Sequence, residues 1–437
     1  MATGLLLALL GAVVPVAVSV PASADTPPPT TAADEAAAGW LARQLVDGER
    51  METIFGDTAF PDQGLTADTV LALDAAKVAQ DNAAKATAWL SRSDILTGYV
   101  GDGTTESYAG AHAKLALVAQ AQGGDPTSFG GIDAIARLLS LQAPSGRFSD
   151  RSAFGDFSNG ITQSLAIIAL HRHGGAPAGA VNYLAGSQCA DGGFPLTFEQ
   201  PTCASDVDTT GFATQAMLAA GRNGEAGRAL DWLQSRQSPD GGFGGSGPTT
   251  GENANSTGLA AQALRAGDRT AAADRAVAFL AGLRVDCTGP PADHGAIAYD
   301  ASGFSHDTAV RATAQATFAL AGVGLAEVGA TGATGPAPAL DCGGATSTPP
   351  TTEPTSSERP TTSATSPTSS SPPAGASTTT AASTTPVAAV AGGRPTKLAH
   401  TGSDLPMLVG IGGLVLLAGA AIVLITRQRR HASKAER

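Results

Sequence analysis

Ala-rich apolar segments follow one another along the chain, and an aromatic–Leu pair or its equivalent returns at Trp40-Leu41, Trp89-Leu90, Arg137-Leu138, Tyr183-Leu184, Trp232-Leu233 and Phe279-Leu280. The spacing stays between 46 and 49 residues. A period of this size marks a repeat architecture in which each copy is one supersecondary unit. Behind each pair lies a second Ala/Leu-rich segment, at about 65–77, 107–122, 160–173, 208–221, 255–266 and 307–322. No alternation of polar and apolar positions competes with helix. Six units of two helices predict twelve helices, and six hairpins can curl into a closed ring that leaves no open solenoid end to cap.

The punctuation agrees. Three copies share a turn: Gln142 to Gly146 and Phe148, Gln188 to Gly192 and Phe194, and Gln237 to Gly241 and Phe243. The glycine supplies positive φ, the Phe returns to the interior, and the Gln is placed to hydrogen-bond loop backbone between units. Gly123, Gly174, Gly221, Gly267 and Gly322 stand where helices should end, as C-terminal positions needing φ > 0 do.

These helix–Gln–x3–Gly–x–Phe repeats resemble those of the prenyltransferase and squalene-cyclase superfamily of (α/α)6 toroids, over about residues 36–325. That superfamily includes prenyltransferase β subunits, triterpene cyclases, complement-type thioester domains and cobalamin carriers. The resemblance implies an all-α ring of six helical hairpins. It does not choose a function, because one ring hosts enzymes, carriers and attachment modules.

Each inherited chemistry can be tested on the residues. Asp206-Val207-Asp208-Thr209-Thr210 resembles the DxDD(T) motif of cyclases that protonate an alkene, and by that match Asp208 would be the acid. The family's next Asp is Thr209 here. Such an acid needs burial and carboxylate neighbours to hold its proton, and an aromatic pocket for the cation, from a chain with only 20 Phe, Trp and Tyr. The competing reading makes Asp208 a helix N-cap, with Asn255 and Asp307 at the matching points of the next two units; the recurrence favours it. A prenyltransferase reading needs zinc on Asp, Cys and a downstream His. Asp286-Cys287 is the one adjacent pair, with His294 and His306 too near in sequence to serve, and His171 and His173 read as a solvated helix end. No Cys-Gly-Glu-Gln stretch exists for a thioester. A cobalamin carrier would clamp its corrinoid with a second β domain, which is missing. No cofactor and no metal are expected.

Four cysteines in an exported chain read as two disulfides. Locality favours Cys189–Cys203 and Cys287–Cys342, each worth roughly 3–4 kcal/mol by loop entropy. A zinc or nucleophile role for them finds no paired His.

The ends change the picture of location. Residues 1–24 carry an apolar run and an Ala-Ser-Ala site, which predicts a signal peptide cleaved after Ala24. The ring would occupy 25–343. Residues 344–397 are almost wholly Thr, Ser, Pro, Ala and Gly, a composition that cannot offset ordering entropy; as a stalk it could reach on the order of 150 Å. Residues 398–437 combine Leu398-Ala399-His400-Thr401-Gly402, an uncharged span at 407–426 long enough for a transmembrane helix, and the basic residues Arg427, Arg429, Arg430 and Lys434. This order resembles the LPxTG-type sorting signal of Gram-positive wall proteins, in the LAxTG form of actinobacteria. It implies sortase and peptidoglycan as partners, joined through Thr401. The formal net charge is −12, with no basic stripe for nucleic acid. The expectation from sequence is therefore a wall-anchored surface protein whose ring binds or adheres to an extracellular small-molecule or polymer ligand without catalysis. Its candidate contacts are Asp208, Thr210, Asn255, Thr257, Asp307 and Arg311. The rival is an exported terpene-cyclase-like enzyme with Asp208 as general acid, and the second rival is a cobalamin-carrier-like domain.

Overall fold

The computed structural model describes residues 26–56 and 58–343. The expected signal peptide, stalk, sorting signal and membrane span lie outside them. No helix among the described residues is long and apolar enough to cross a membrane.

Thirteen α-helices are described. In chain order they are α1 (Ala33–Gln44), α2 (Gln63–Ala76), α3 (Gln80–Leu90), α4 (Ser93–Val100), α5 (Ala109–Ala121), α6 (Ala134–Leu139) and α7 (Gly160–His173). There follow α8 (Ala178–Gly186), α9 (Val207–Ala219), α10 (Asn223–Arg236), α11 (Ala254–Ala266), α12 (Thr270–Gly282) and α13 (His306–Ala321). Twelve are the expected pairs. The extra helix, α4, is a short insertion between α3 and α5. Four short strands also appear: β1 (Pro29–Thr30), β2 (Glu52–Phe55), β3 (Thr58–Pro61) and β4 (Ala339–Leu340). β2 and β3 form an antiparallel hairpin before α2, and β1 pairs in parallel with β4.

The second helix of each pair faces inward. α2, α5, α7, α9, α11 and α13 pack each on the next, and α13 packs on α2, which closes the ring. These helices are apolar on nearly every side, as α2 shows with an almost unbroken buried run from Leu65 to Ala76; helices of that kind belong inside. The outer helices bury one stripe. In α10 it is Ala226, Ala229, Leu230 and Leu233, spaced as an amphipathic helix requires.

Close approach between inner helices depends on small residues. A Cβ on Gly211 of α9 would stand 2.9 Å from the Leu259 carbonyl oxygen of α11, and one on Gly258 of α11 would stand 2.7 Å from that of Gln315 of α13. The repeated turns behave as read. Gly146, Gly192 and Gly241 have φ of +94°, +99° and +98°, and Phe148, Phe194 and Phe243 are buried. Gln188 Nε2 donates to Gly192 O of its own turn and Glu225 O of α10, at 2.8 and 2.9 Å. Gln237 repeats this with Gly241 and Ala272 O of α12. Gly267 differs from expectation: its φ is −96°, and Asp268 takes the left-handed place instead.

After α13 the chain crosses the C-terminal ends of the inner helices as a strap. Leu325 N–H donates to Gln215 Oε1 of α9 at 2.9 Å. Arg172 of α7 donates to Leu325 O and Val328 O at 2.6 and 2.7 Å, Lys77 after α2 donates to Gly329 O, and Ala330 N–H to Ala121 O of α5 at 2.7 Å. Its Leu325 and Val328 side chains are buried. The strap covers much of this face, although Gln120, Leu218 and Leu320 stay half-exposed there; at the N-terminal ends Asp68, Lys114, Asp208, Phe212, Asn255 and Arg311 keep some exposure.

Both disulfides have the expected pairing, Cys189–Cys203 and Cys287–Cys342. The second ties the end of the strap to the loop after α12.

Candidate functional site

One hydrogen bond sets a common register for five of the six inner helices. The N–H that ends the preceding turn is caught by a side chain one turn into the helix: Met51 by Thr66, Phe148 by Gln163, Phe194 by Thr210, Phe243 by Thr257 and Ile297 by Thr313, at 2.8–2.9 Å. Thr210 and Thr257, expected to meet a ligand, are fully buried and spend their hydroxyls on this backbone.

Four residues before that side chain stands the N-cap. Asp62, Asn159, Asp206 and Asn253 accept from the first free N–H groups of α2, α7, α9 and α11. This corrects the N-cap reading of Asp208. The cap of α9 is Asp206, whose Oδ1 accepts from Thr209 N and Thr209 Oγ1 at 2.8 and 2.7 Å while Oδ2 accepts from Ser246 Oγ at 2.7 Å.

Two residues before the register side chain, α2, α7, α9, α11 and α13 present Gly64, Ile161, Asp208, Asn255 and Arg311, and α5 carries Gly110 in its first turn. Arg311 thus holds the place expected for Asp307. α13 starts one turn earlier than its neighbours, and Asp307 lies exposed in that added turn, apart from the other candidates. One turn deeper the same face carries Asp68, Lys114, Leu165, Phe212, Leu259 and Gln315. Most of these residues keep some exposure on helices that are otherwise buried, so they line the open mouth.

The lining divides by chemistry. On the α2, α5 and α13 side, Lys114 meets Asp68 at 2.7 Å, and Arg311 lies 3.7 Å from both Asp62 and Asp68. Two cations and two carboxylates compensate each other there. Ile161, Leu165, Phe212 and Leu259 make the far side apolar. Asp208 and Asn255 stand one turn above Phe212 and Leu259 on the neighbouring helices α9 and α11, and the Oδ1 of each is shut off from water with no hydrogen-bond partner among the described residues.

Asp208 is therefore a carboxyl with nothing to stabilise its charge on one oxygen. Burial, and then the nearby Asp206 charge, push it up to about 7, with the Ser256 hydroxyl offsetting part of the rise. The residue itself stays partly open to the mouth, which is how a ligand could reach it. Tyr299 is packed close enough that the Asp208 charge, after burial, raises it too. Such a pair, one carboxylate ringed by donors and one left without, is how a protein separates an acid from its neighbour.

Neither a protein-family model nor a curated protein matches the chain. Solved structures do. A variant of the type II terpene cyclase MstE from Scytonema, bound to its substrate geranylgeranyl dihydroxybenzoate, superposes with a TM-score of 0.50 at 15% identity, covering 66% of this chain and 95% of that one. A second MstE variant, bound to its product merosterolic acid A, gives 0.50, 15%, 66% and 95%. A novel α-amylase from Clostridium perfringens gives 0.50 at 11% identity, covering 69% of this chain and 99% of that one. The ring has the toroid fold of the type II terpene cyclases.

At these identities the likeness establishes fold. The expectation of a non-catalytic binding or adhesion module is corrected in favour of its rival: rings of this fold were captured with substrate and product, and Asp208, read with Asn255 and Asp307 as a cap, is free of capping.

The remaining candidates are placed as follows. His171 and His173 are exposed in the last turn of α7. His306 Nε2 lies 2.9 Å from Asp293 Oδ1 and its ring packs on Trp40 and Phe304. The expectation that no His pairs with a Cys needs correction, since His294 Nδ1 lies 3.3 Å from Cys342 Sγ. Asp68 and Lys114 were missed; Lys114 is the one charge in the otherwise apolar α5, while α2 carries Asp74 as well as Asp68, so the sequence marked Lys114 and not the pairing.

Proposed function

We propose that the ring is an acid-initiated cyclase of isoprenoid alkenes in which Asp208 delivers the first proton. The observation that carries this reading is the state of the Asp208 carboxyl: freed of capping by Asp206, unpartnered at Oδ1, and pushed up to about 7. An acid of that strength holds its proton near neutral pH and can give it to a weakly basic alkene held in a dry pocket. Asp206 fixes the start of α9 and, through Ser246 and Thr209, keeps its own charge beside the donor. The Phe212 ring, one turn below, offers a π face to a developing cation, and Ile161, Leu165 and Leu259 accept a hydrocarbon chain. The compensated Asp68, Lys114 and Arg311 wall leaves little net charge for the substrate's polar end to meet.

The test uses geranylgeranyl dihydroxybenzoate as probe, incubated with the full-length chain in D2O. Proton-initiated cyclisation is an isomerisation, with one proton added and one lost. The expected product is a ring-closed isomer carrying one deuterium, absent with Asp208→Asn. Equal turnover by that variant would remove Asp208 from the chemistry.

We further infer that the protein is exported, cleaved after Ala24 and joined through Thr401 to peptidoglycan by a sortase. The two disulfides support an oxidising exterior. Thr401→Ala should leave the protein in the membrane fraction, and its recovery from the wall as before would count against this anchoring.

A further inference from the structure

The two disulfides have different surroundings. Cys189 is buried while its partner Cys203 is exposed, and Cys203 Sγ and Cys287 Sγ each lie 3.8 Å from a carbonyl oxygen, that of Ser187 and of Asp341. Cys287 and Cys342 are both exposed. Cys342 Sγ is backed by His294 Nδ1 at 3.3 Å, and His294 Nε2 lies 2.9 Å from Gly289 O. A carbonyl only accepts, so Nε2 is the donor in that bond, and the remaining ring nitrogen is the one aimed at sulfur. Cys287, but not Cys342, opens onto a shallow pocket of about 250 Å³ walled by Thr31, Arg284, Asp286, Thr288, Leu340 and Asp341.

We propose that Cys287–Cys342 is an exchange-active disulfide that takes a dithiol partner, with Cys287 the sulfur attacked and His294 the acid for the departing Cys342. Displacement at sulfur needs the incoming thiolate on one side and the leaving sulfur on the other. The pocket supplies the first side and the imidazole the second. The incoming thiolate forms a bond to Cys287 Sγ as the Sγ–Sγ bond breaks with its electron pair on Cys342. In its imidazolium form His294 donates through Nε2–H to Gly289 O and passes the Nδ1 proton to the Cys342 thiolate, ending as the neutral Nε2–H tautomer. The partner's other thiol then displaces Cys287, so the chain gains two thiols and the partner becomes a disulfide, a balanced two-electron exchange. With Arg284 set against Asp286 and Asp341 the wall is net acidic, so the pocket gives the incoming thiolate access and no charge attraction. Opening this bond releases residue 342, the end of the strap.

The test is timed reduction of the full-length chain by dithiothreitol, quenched with iodoacetamide and read by peptide mapping; the chain has only these four cysteines. Cys287 and Cys342 should become alkylated about tenfold faster than Cys189 and Cys203. His294→Ala should slow that pair by about tenfold and leave the other unchanged. His294→Gln keeps an N–H for Gly289 O and should be as slow as the Ala variant, which separates acid catalysis from loop support. A single exchange with glutathione should trap the mixed disulfide on Cys287. Equal rates for the two disulfides, a His294→Gln variant as fast as the parent, or glutathione on Cys342 would each overturn the proposal.

Discussion

Asp206 and Asp208 stand two residues apart and meet opposite surroundings. Three donors converge on Asp206, so Asp206→Ala should cost about 1–2 kcal/mol of stability, measurable by urea unfolding. Asp208 behaves in the other sense. Its folded-state value is raised from 3.8 to about 7, so the native state holds a proton that the unfolded chain has already released. Stability attributable to this group is intact at acid pH and declines as pH rises from about 4 to about 7, by up to roughly 1.4 kcal/mol per unit of the raise. Asp74 and Asp150, both pushed up to about 6 mainly by burial, act in the same direction. The comparison must therefore be with Asp208→Asn, which should match the parent at pH 4 and exceed it at about pH 8. Turnover by the parent should fall as pH rises through about 7, where Asp208 loses its proton. The Asp-x-Asp pattern was visible in the sequence, but which of the two caps the helix was not. Both are acceptable caps, and only the register bond from Phe194 N to Thr210 decides between them.

At the scale of elements, the repeat period and the Gln–Gly–Phe turns made the six pairs legible, because each unit must solve the same packing problem. The departures were local. α4 belongs to no repeat, and α13 gains an N-terminal turn that moved Asp307 out of line and put Arg311 in its place. Spacing alone cannot register such an insertion. Lys114 and Asp68 escaped because nothing adjacent in sequence marks them as partners; their helices meet only in the ring. The inner contacts predict a sharp size limit at Gly211 and Gly258. With neighbouring carbonyl oxygens 2.9 and 2.7 Å from where a Cβ would stand, Gly211→Ala and Gly258→Ala should each lower stability by roughly 1–3 kcal/mol, read as a shift in the urea midpoint. Gly186, with open space around it, should accept Ala with little loss.

Over the whole molecule, the strap makes the ring a cup. It covers the C-terminal ends of α2, α5, α7 and α9, where helix carbonyls lack partners, and leaves the N-terminal mouth with Asp208 as the open side. Sequence reading placed the disulfides on locality but gave the 323–340 segment no role, since it has no periodicity of its own and gains its contacts from at least α1, α3, α5, α7, α9 and the end of α2. Arg172 is its main clamp. Arg172→Ala leaves the Leu325 and Val328 carbonyls without a charged donor and should cost about 2 kcal/mol, with amide exchange accelerating first in residues 323–331.

The central claim is that a carboxyl at the mouth of this ring keeps its proton near neutral pH. Infrared difference spectra of the parent against Asp208→Asn test it without any substrate. At about pH 6 the parent should show a protonated-carboxyl band that the variant lacks, and the band should be gone by about pH 9. A parent spectrum with no such band at about pH 6, its Asp208 already ionised as an ordinary aspartate would be, would contradict the account.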